Sequence, residues 1–206
     1  MTAGATDDLA GRVLSGLRAA NRAVGLVLGL VLAATVLFVI ADVVLRQTGR
    51  SLGGSDELSG YAMAVLASWG LAVALSERAH VRIDLVRQGL STRGRAALDL
   101  AAMAGLSFVA VLVAWQAWPV LGKTLERGSR ANTPLETPLW IPQGLWFGGW
   151  LWFAICAVLT LLAAVLIALG RDWPRLDAAI GMGHEGEEAL AEARRLDAGR
   201  ATGGAR

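Results

Sequence analysis

The sequence predicts an all-α integral membrane protein with four transmembrane helices and both termini in the cytoplasm. Three observations predict it. The 206 residues are 55% hydrophobic and only 17% charged, where a soluble domain carries about 25% charged residues. The apolar excess, reflected in a mean hydropathy of +0.52, is gathered into four blocks, each near the roughly 20 residues needed to cross a bilayer. The basic residues also fall unevenly on the segments between those blocks.

The first block is Ala23–Ala41, within a span of about 23–46. It is too long for the apolar core of a signal peptide, and more than twenty residues precede it. The second is Leu58–Ser76. The third, Leu100–Gly122, belongs to a span of about 96–120. The fourth lies in an uncharged run from Thr137 to Gly170, within a span of about 142–170, with Pro142 near its start. A single crossing needs fewer residues than this run supplies, so its first turns are interfacial or the helix is tilted. Backbone polar groups in lipid must be paired internally, so all four blocks are expected as helices. Residues 1–22 are an N-terminal tail, expected as either a short interfacial helix or a frayed end. Residues 171–206 form a C-terminal tail, with helical turns around 187–196 and disorder beyond.

Charge sets the orientation. Arg12, Arg18 and Arg22 precede the first block. Arg78, Arg82, Arg87, Arg93 and Arg95 join the second to the third, and six arginines follow the fourth. The opposite face holds Arg46, Arg50, Lys123, Arg127 and Arg130. Fourteen against five places both termini and the 77–95 connection in the cytoplasm. Trp115, Trp118, Trp140 and Trp146 then gather at the outer interface, where indoles settle, while Trp69 is a packing residue within the second block. A net charge of +2, scattered along the chain, gives no reason to expect nucleic acid.

Few residues could carry chemistry. Glu77, His80 and Asp84 would share one helix face. They resemble half of a di-iron carboxylate site, which needs a Glu-x-x-His pair from each of two helices. The only other histidine is His184, in the tail, and Arg78 and Arg82 would oppose a cation. "HVRIDL" also alternates polar and apolar residues as an extended segment does. No catalytic, metal or cofactor-binding residue is therefore assigned, and an enzyme is not expected. Haem is disfavoured because neither histidine lies in a span. Cys156 is alone and has no partner for an internal disulfide. Asp42 and Arg46 stand four apart at the end of the first span, acid first, which is the favourable helical order. Asp99 has Arg95 one turn earlier. Gly25 and Gly29, and Gly144, Gly148 and Gly149, are spaced as small residues are where helices approach closely. No Asp, Glu, Lys, Arg or His occurs mid-span, which counts against a proton or ion path through this chain alone.

Taken in order, these features resemble the small permease subunit, the DctQ-like family, of tripartite ATP-independent periplasmic (TRAP) transporters. The resemblance covers roughly Ala23 to Gly170. It rests on Asp42 and Arg46, on "SDELSGY" with Asp56 and Glu57, on "WGLAVALSERAHVRIDL" with Glu77, His80, Arg82 and Asp84, and on "TPLETPLWIPQGLWF" with Pro142. The family often has a Trp before its acidic pair, where this chain has "GGSDE". The resemblance implies a scaffold in the bacterial inner membrane. Its partners would be the lipid bilayer, a large permease subunit and a periplasmic solute-binding protein. It implies sodium-driven uptake of an organic acid anion, with the sodium ions bound by the large subunit and no cofactor in this chain. These residues would serve subunit contacts or structure. Two other functions are compatible with the residues alone: an independent homodimeric four-helix transporter, and a membrane-embedded enzyme using Glu77, His80 and Asp84.

Overall fold

The computed structural model describes residues 3–77, 90–133 and 135–180, with the side chains of 3–7 left aside. Five helices appear among these residues: α1 (Ala3–Gln47), α2 (Ser55–Ser76), α3 (Thr92–Arg127), α4 (Trp140–Leu169) and α5 (Trp173–Ile180). The first four are each long and apolar enough to cross a membrane. Among the described residues, the only bridge of β type joins Arg130 and Pro138. The protein is a multi-pass, all-helical membrane protein.

The helices are longer than the apolar blocks. Residues 3–22, expected as a separate tail, continue the first span without a break. The resulting helix of 45 residues is about 67 Å long at 1.5 Å per residue. Its lower part is held by tertiary packing. Ala10, Leu17 and Asn21, at spacings of seven and four, form a buried stripe, as one face of a helix should. Helix α3 opens on Ser91, whose hydroxyl accepts the N–H of Gly94 at 3.4 Å, and closes on Gly128 in the left-handed region. It passes through Pro119, which can make no bond to the carbonyl four residues earlier. Helix α4 begins at Trp140, two residues before Pro142. The missing Pro142 N–H therefore falls among the first four, which have no intrahelical partner.

Helix α4 is the hub. It packs on α1, α2 and α3, and α1 packs on α2; α5 folds back against α3 and α4. The turn before α5 uses Arg171 at φ 59° and Asp172, whose carboxylate accepts the Arg175 N–H at 3.1 Å. Around α4 the core is built from small residues: Ala72, Ala110, Ala114, Ala154, Ala157, Ala163 and Ala164, with Met103, Phe153 and Ile167 filling between them. Small residues let helices approach closely where water supplies no hydrophobic drive. Gly149 marks the closest approach. An added Cβ there would lie 2.7 Å from Ser68 Cβ and 2.7 Å from Trp69 Cδ1. Gly29 and Gly144, by contrast, face open space, and a Cβ at Gly25 would meet Val73 at an ordinary 3.5 Å.

Candidate functional site: a polar cap and a polar node

The polar side chains of the bundle gather at its two ends. At one end Asp42 closes α1 and is fully buried. Its Oδ1 accepts the Ser51 hydroxyl at 2.9 Å and the Leu52 N–H at 2.7 Å. Its Oδ2 accepts the Ser55 hydroxyl at 2.6 Å and Arg46 Nε at 2.9 Å, and Arg46 Nη2 lies 2.7 Å away. Arg46 Nη2 also donates to the Ser55 hydroxyl at 3.0 Å. A carboxylate has about four lone-pair sites, and all of these are engaged. The α1–α2 turn is thereby wrapped around a single side chain, with Gly49, Gly53 and Gly54 supplying the left-handed backbone it needs.

The acidic pair comes next. Asp56 is exposed. Glu57 is half-buried and accepts Tyr61 Oη at 2.7 Å as well as the Thr133 hydroxyl. Thr133 belongs to the α3–α4 loop. That loop is closed by Ala131 N–H to the Thr137 carbonyl at 2.9 Å and Leu139 N–H to the Ser129 carbonyl at 3.0 Å. Its Leu135 lies over Gly54, where any Cβ would overlap it. The stretches around Asp42 and "SDELSGY" are thus joined by Thr133 and Leu135, more than 70 residues further along the chain, to form one cap. Pro142 is buried below it.

At the other end Asn21 of α1 is 1% exposed. Its Oδ1 accepts Trp152 Nε1 at 2.8 Å. Its Nδ2 donates to the Ser76 hydroxyl at 2.5 Å and to Cys156 Sγ at 3.7 Å. One amide therefore ties α1 to both α2 and α4. Between the two ends, Trp69 Nε1 donates to the Leu145 carbonyl at 2.9 Å, joining α2 to α4. Sequence reasoning missed Asn21. The available signal was an uncharged amide set just before an apolar block and flanked by arginines.

Of the remaining expected residues, Glu77 is exposed and ends α2. His80, Arg82 and Asp84 lie outside the described residues, as do the turns expected around 187–196. No group of three or more His, Cys, Asp or Glu side chains that could hold a metal ion occurs among the described residues.

The Asp42 carboxylate is saturated by donors of its own chain, so it is occupied as an acceptor before any ion or substrate arrives. Two apolar grooves open on the bundle's sides. One of about 520 Å³ runs between α3 and α4, past Trp115, Trp118 and Phe147. The other, about 440 Å³, is lined by Val27 and Val31 of α1, Trp69 of α2 and Leu145 of α4.

The family model for the DctQ component of tripartite ATP-independent periplasmic transporters matches residues 35–168. The chain belongs to the DctQ family. The matched stretch begins seven residues before Asp42 and ends in the last turn of α4, so it takes in the whole cap, α2 and α3 entire, and all of α4 but its last residue. A DctQ chain is a small membrane subunit of a TRAP transporter, a transporter component and not an enzyme. No curated protein and no solved structure matched the chain.

Proposed function

We propose that this DctQ subunit is a non-conducting scaffold that braces a large permease subunit in the bacterial inner membrane. The large subunit moves an organic acid anion inward on a sodium gradient, after a periplasmic solute-binding protein delivers it. Both termini of the scaffold lie in the cytoplasm, and the Asp42 cap faces the periplasm. One observation carries this reading. No Asp, Glu, Lys, Arg or His lies between Arg22 and Asp42, between Glu57 and Glu77, between Asp99 and Lys123, or anywhere in α4. Asp42 and Asp99 each stand at the edge of an apolar block; Asp42 is locked by five donor contacts, and Asp99 is buried and also engaged. Ion and proton paths through membranes use ionisable side chains within the span, and this chain offers none for the purpose.

The apolar surface supports a bracing role. Leu26, Leu30 and Leu37 of α1 are all more than half exposed, and α1 is the least buried of the four spans. Asp42, Arg46 and Glu57 hold the cap's shape, while exposed Asp56 and Glu77 are free to meet another subunit. The test is purification in mild detergent from the native membrane. The expected outcome is co-purification with a much larger polytopic protein, and no uptake by liposomes that hold only this chain. Quantitative purification alone, or uptake by such liposomes, would overturn the proposal.

A further inference from the structure

The uncharged stretches of α3 and α4 end at one place. Asp99 is the charged residue that precedes the run Leu100–Gly122, and Arg171 is the one that follows the run Thr137–Gly170. Helix α5 starts just beyond Arg171 and folds back against α3 and α4. A cavity of about 180 Å³ lies between α3 and α5. Thr92, Arg95 and Asp99 of α3 line it, together with Trp173 and Asp177 of α5. The buried side chains of Ala96 and Leu176 complete its wall. Pockets that enclose a drug-sized molecule start at roughly 300 Å³, so this one suits a small polar group.

The charges on the cavity do not close on one another. Arg95 and Asp99 are four residues apart on one helix, the spacing at which side chains on a helix can pair. Among the described residues, however, Arg95 makes no ion pair with Asp99 or with Asp177. Its Nε donates to the Leu90 carbonyl at 3.1 Å instead, and a guanidinium has N–H donors to spare beyond that one. The half-buried Trp173 adds an indole N–H that meets no acceptor among the described residues. Asp99 is buried and Asp177 is exposed. Both acids have contacts of their own within the chain, but a carboxylate has about four lone-pair sites and can take a further donor. A guanidinium and two carboxylates thus share one small space. A simple anion would be repelled there by the carboxylates, and a simple cation by Arg95. A zwitterion meets both signs favourably.

We infer that this cavity binds the headgroup of an aminophospholipid, a phosphoethanolamine carried on acyl chains. The phosphate takes donors from Arg95, Trp173 and the Thr92 hydroxyl, and the ammonium donates to Asp177 and Asp99. Two observations favour a lipid over a soluble zwitterion. The cavity lies where two uncharged stretches end together, which is the level of headgroups in a bilayer. Apolar surface also lies close by in the chain: Leu98, beside Asp99, and Leu169, four residues before Trp173, are both exposed. A choline headgroup has no N–H to donate and is recognised by a cage of aromatic faces, whereas this lining has the single indole of Trp173. A glycerol headgroup brings no cation for the two carboxylates. The inference goes beyond the scaffold role, and depends neither on that role nor on which end faces the cytoplasm.

The test strips the full chain of lipid in mild detergent, with any chain that accompanies it. Dioleoyl phosphatidylethanolamine, phosphatidylcholine or phosphatidylglycerol is then titrated in, and binding is read by native mass spectrometry. The expected result is a saturable site that prefers the ethanolamine lipid by about fivefold, the scale of one ion pair at an exposed carboxylate. Asp177→Asn should cut that preference to less than about twofold, while Asp177→Glu retains it. Arg95→Gln should weaken the ethanolamine and choline lipids by a similar factor, since both carry the phosphate. Arg95 and Asp177 are both exposed, so neither change disturbs the buried core, and circular dichroism checks the fold. Equal binding of the three lipids, or a preference that survives Asp177→Asn, overturns the inference. Phosphoethanolamine without acyl chains is the final arm. Failure to bind at ten times the lipid's concentration supports the lipid assignment, and binding as tight as the lipid's overturns it.

Discussion

Gly149→Ala adds one methyl group at the closest approach in the bundle. The new Cβ would lie 2.7 Å from Ser68 Cβ and 2.7 Å from Trp69 Cδ1, whereas carbon atoms in contact settle at about 3.5–4.0 Å. Helices α2 and α4 must therefore separate by about 1 Å, or Trp69 must turn. Ser68 is 1% exposed, so it has nowhere to move. Overpacking of this kind costs about 1–3 kcal/mol. Turning Trp69 also breaks its 2.9 Å bond to the Leu145 carbonyl, and an interhelical bond in a membrane is worth about 0.6 kcal/mol, up to about 1.7. Against this, Ala gains about 1 kcal/mol over Gly in helix propensity. The net expectation is a loss of about 1–3 kcal/mol, measured by reversible unfolding in mixed micelles. Gly144→Ala is the control. It makes the same chemical change on the same helix, but with no atom within 4 Å, so it should be neutral or stabilising by up to about 1 kcal/mol. Adding Ser68→Gly to Gly149→Ala removes one of the two obstructions and should restore part of the loss. Equal stability of the two alanine variants, or no recovery in the double variant, would refute the packing argument.

Asn21→Ala should strip Trp152 Nε1 of its acceptor and open the pocket around Cys156. The expected cost is about 1–3 kcal/mol, and the chain's single thiol should become reactive toward N-ethylmaleimide, having been inert in the parent. Arg46→Lys should loosen the α1–α2 turn, because an ammonium cannot reproduce the guanidinium fork that reaches both Asp42 and Ser55. Faster protease cleavage within residues 48–54 is the readout. Asp42→Asn should lower the unfolding midpoint far more than Asp56→Asn, since the amide would turn a donor toward groups that already donate to Asp42. Glu57→Ala and Thr133→Ala should be non-additive in a double-mutant cycle of loop stability, because both remove the same contact.

The four crossings could be read from the chain because length and hydropathy are local properties. The Asp42–Arg46 pair was legible for the same reason, its members being one helical turn apart. Helix ends were less legible. Residues 3–22 read as a tail, a short interfacial helix or a frayed end, since their Ala/Gly-rich, weakly amphipathic pattern carries no sign that Ala10, Leu17 and Asn21 would pack against the rest of the bundle. Gly25 and Gly29 have the spacing of a contact motif yet meet nothing closer than an ordinary neighbour, while at Gly149 an added Cβ would lie 2.7 Å from Ser68 Cβ and from Trp69 Cδ1. Spacing along one helix does not say which helix stands opposite.

By itself, then, the sequence determined that this is a four-span membrane protein with charges kept to the span ends and an acid–base pair closing the first helix. The tertiary structure alone decided that Asp42 would be saturated by Ser51, Leu52, Ser55 and Arg46, and that Glu57 would catch Thr133 from the far loop. It also decided that Asn21 would hold three helices. The physical reason is register. A hydropathy profile places each helix across the bilayer separately, but the shift of one helix against another is set by side chains scores of residues apart, such as Trp69 finding the Leu145 carbonyl beside Gly149.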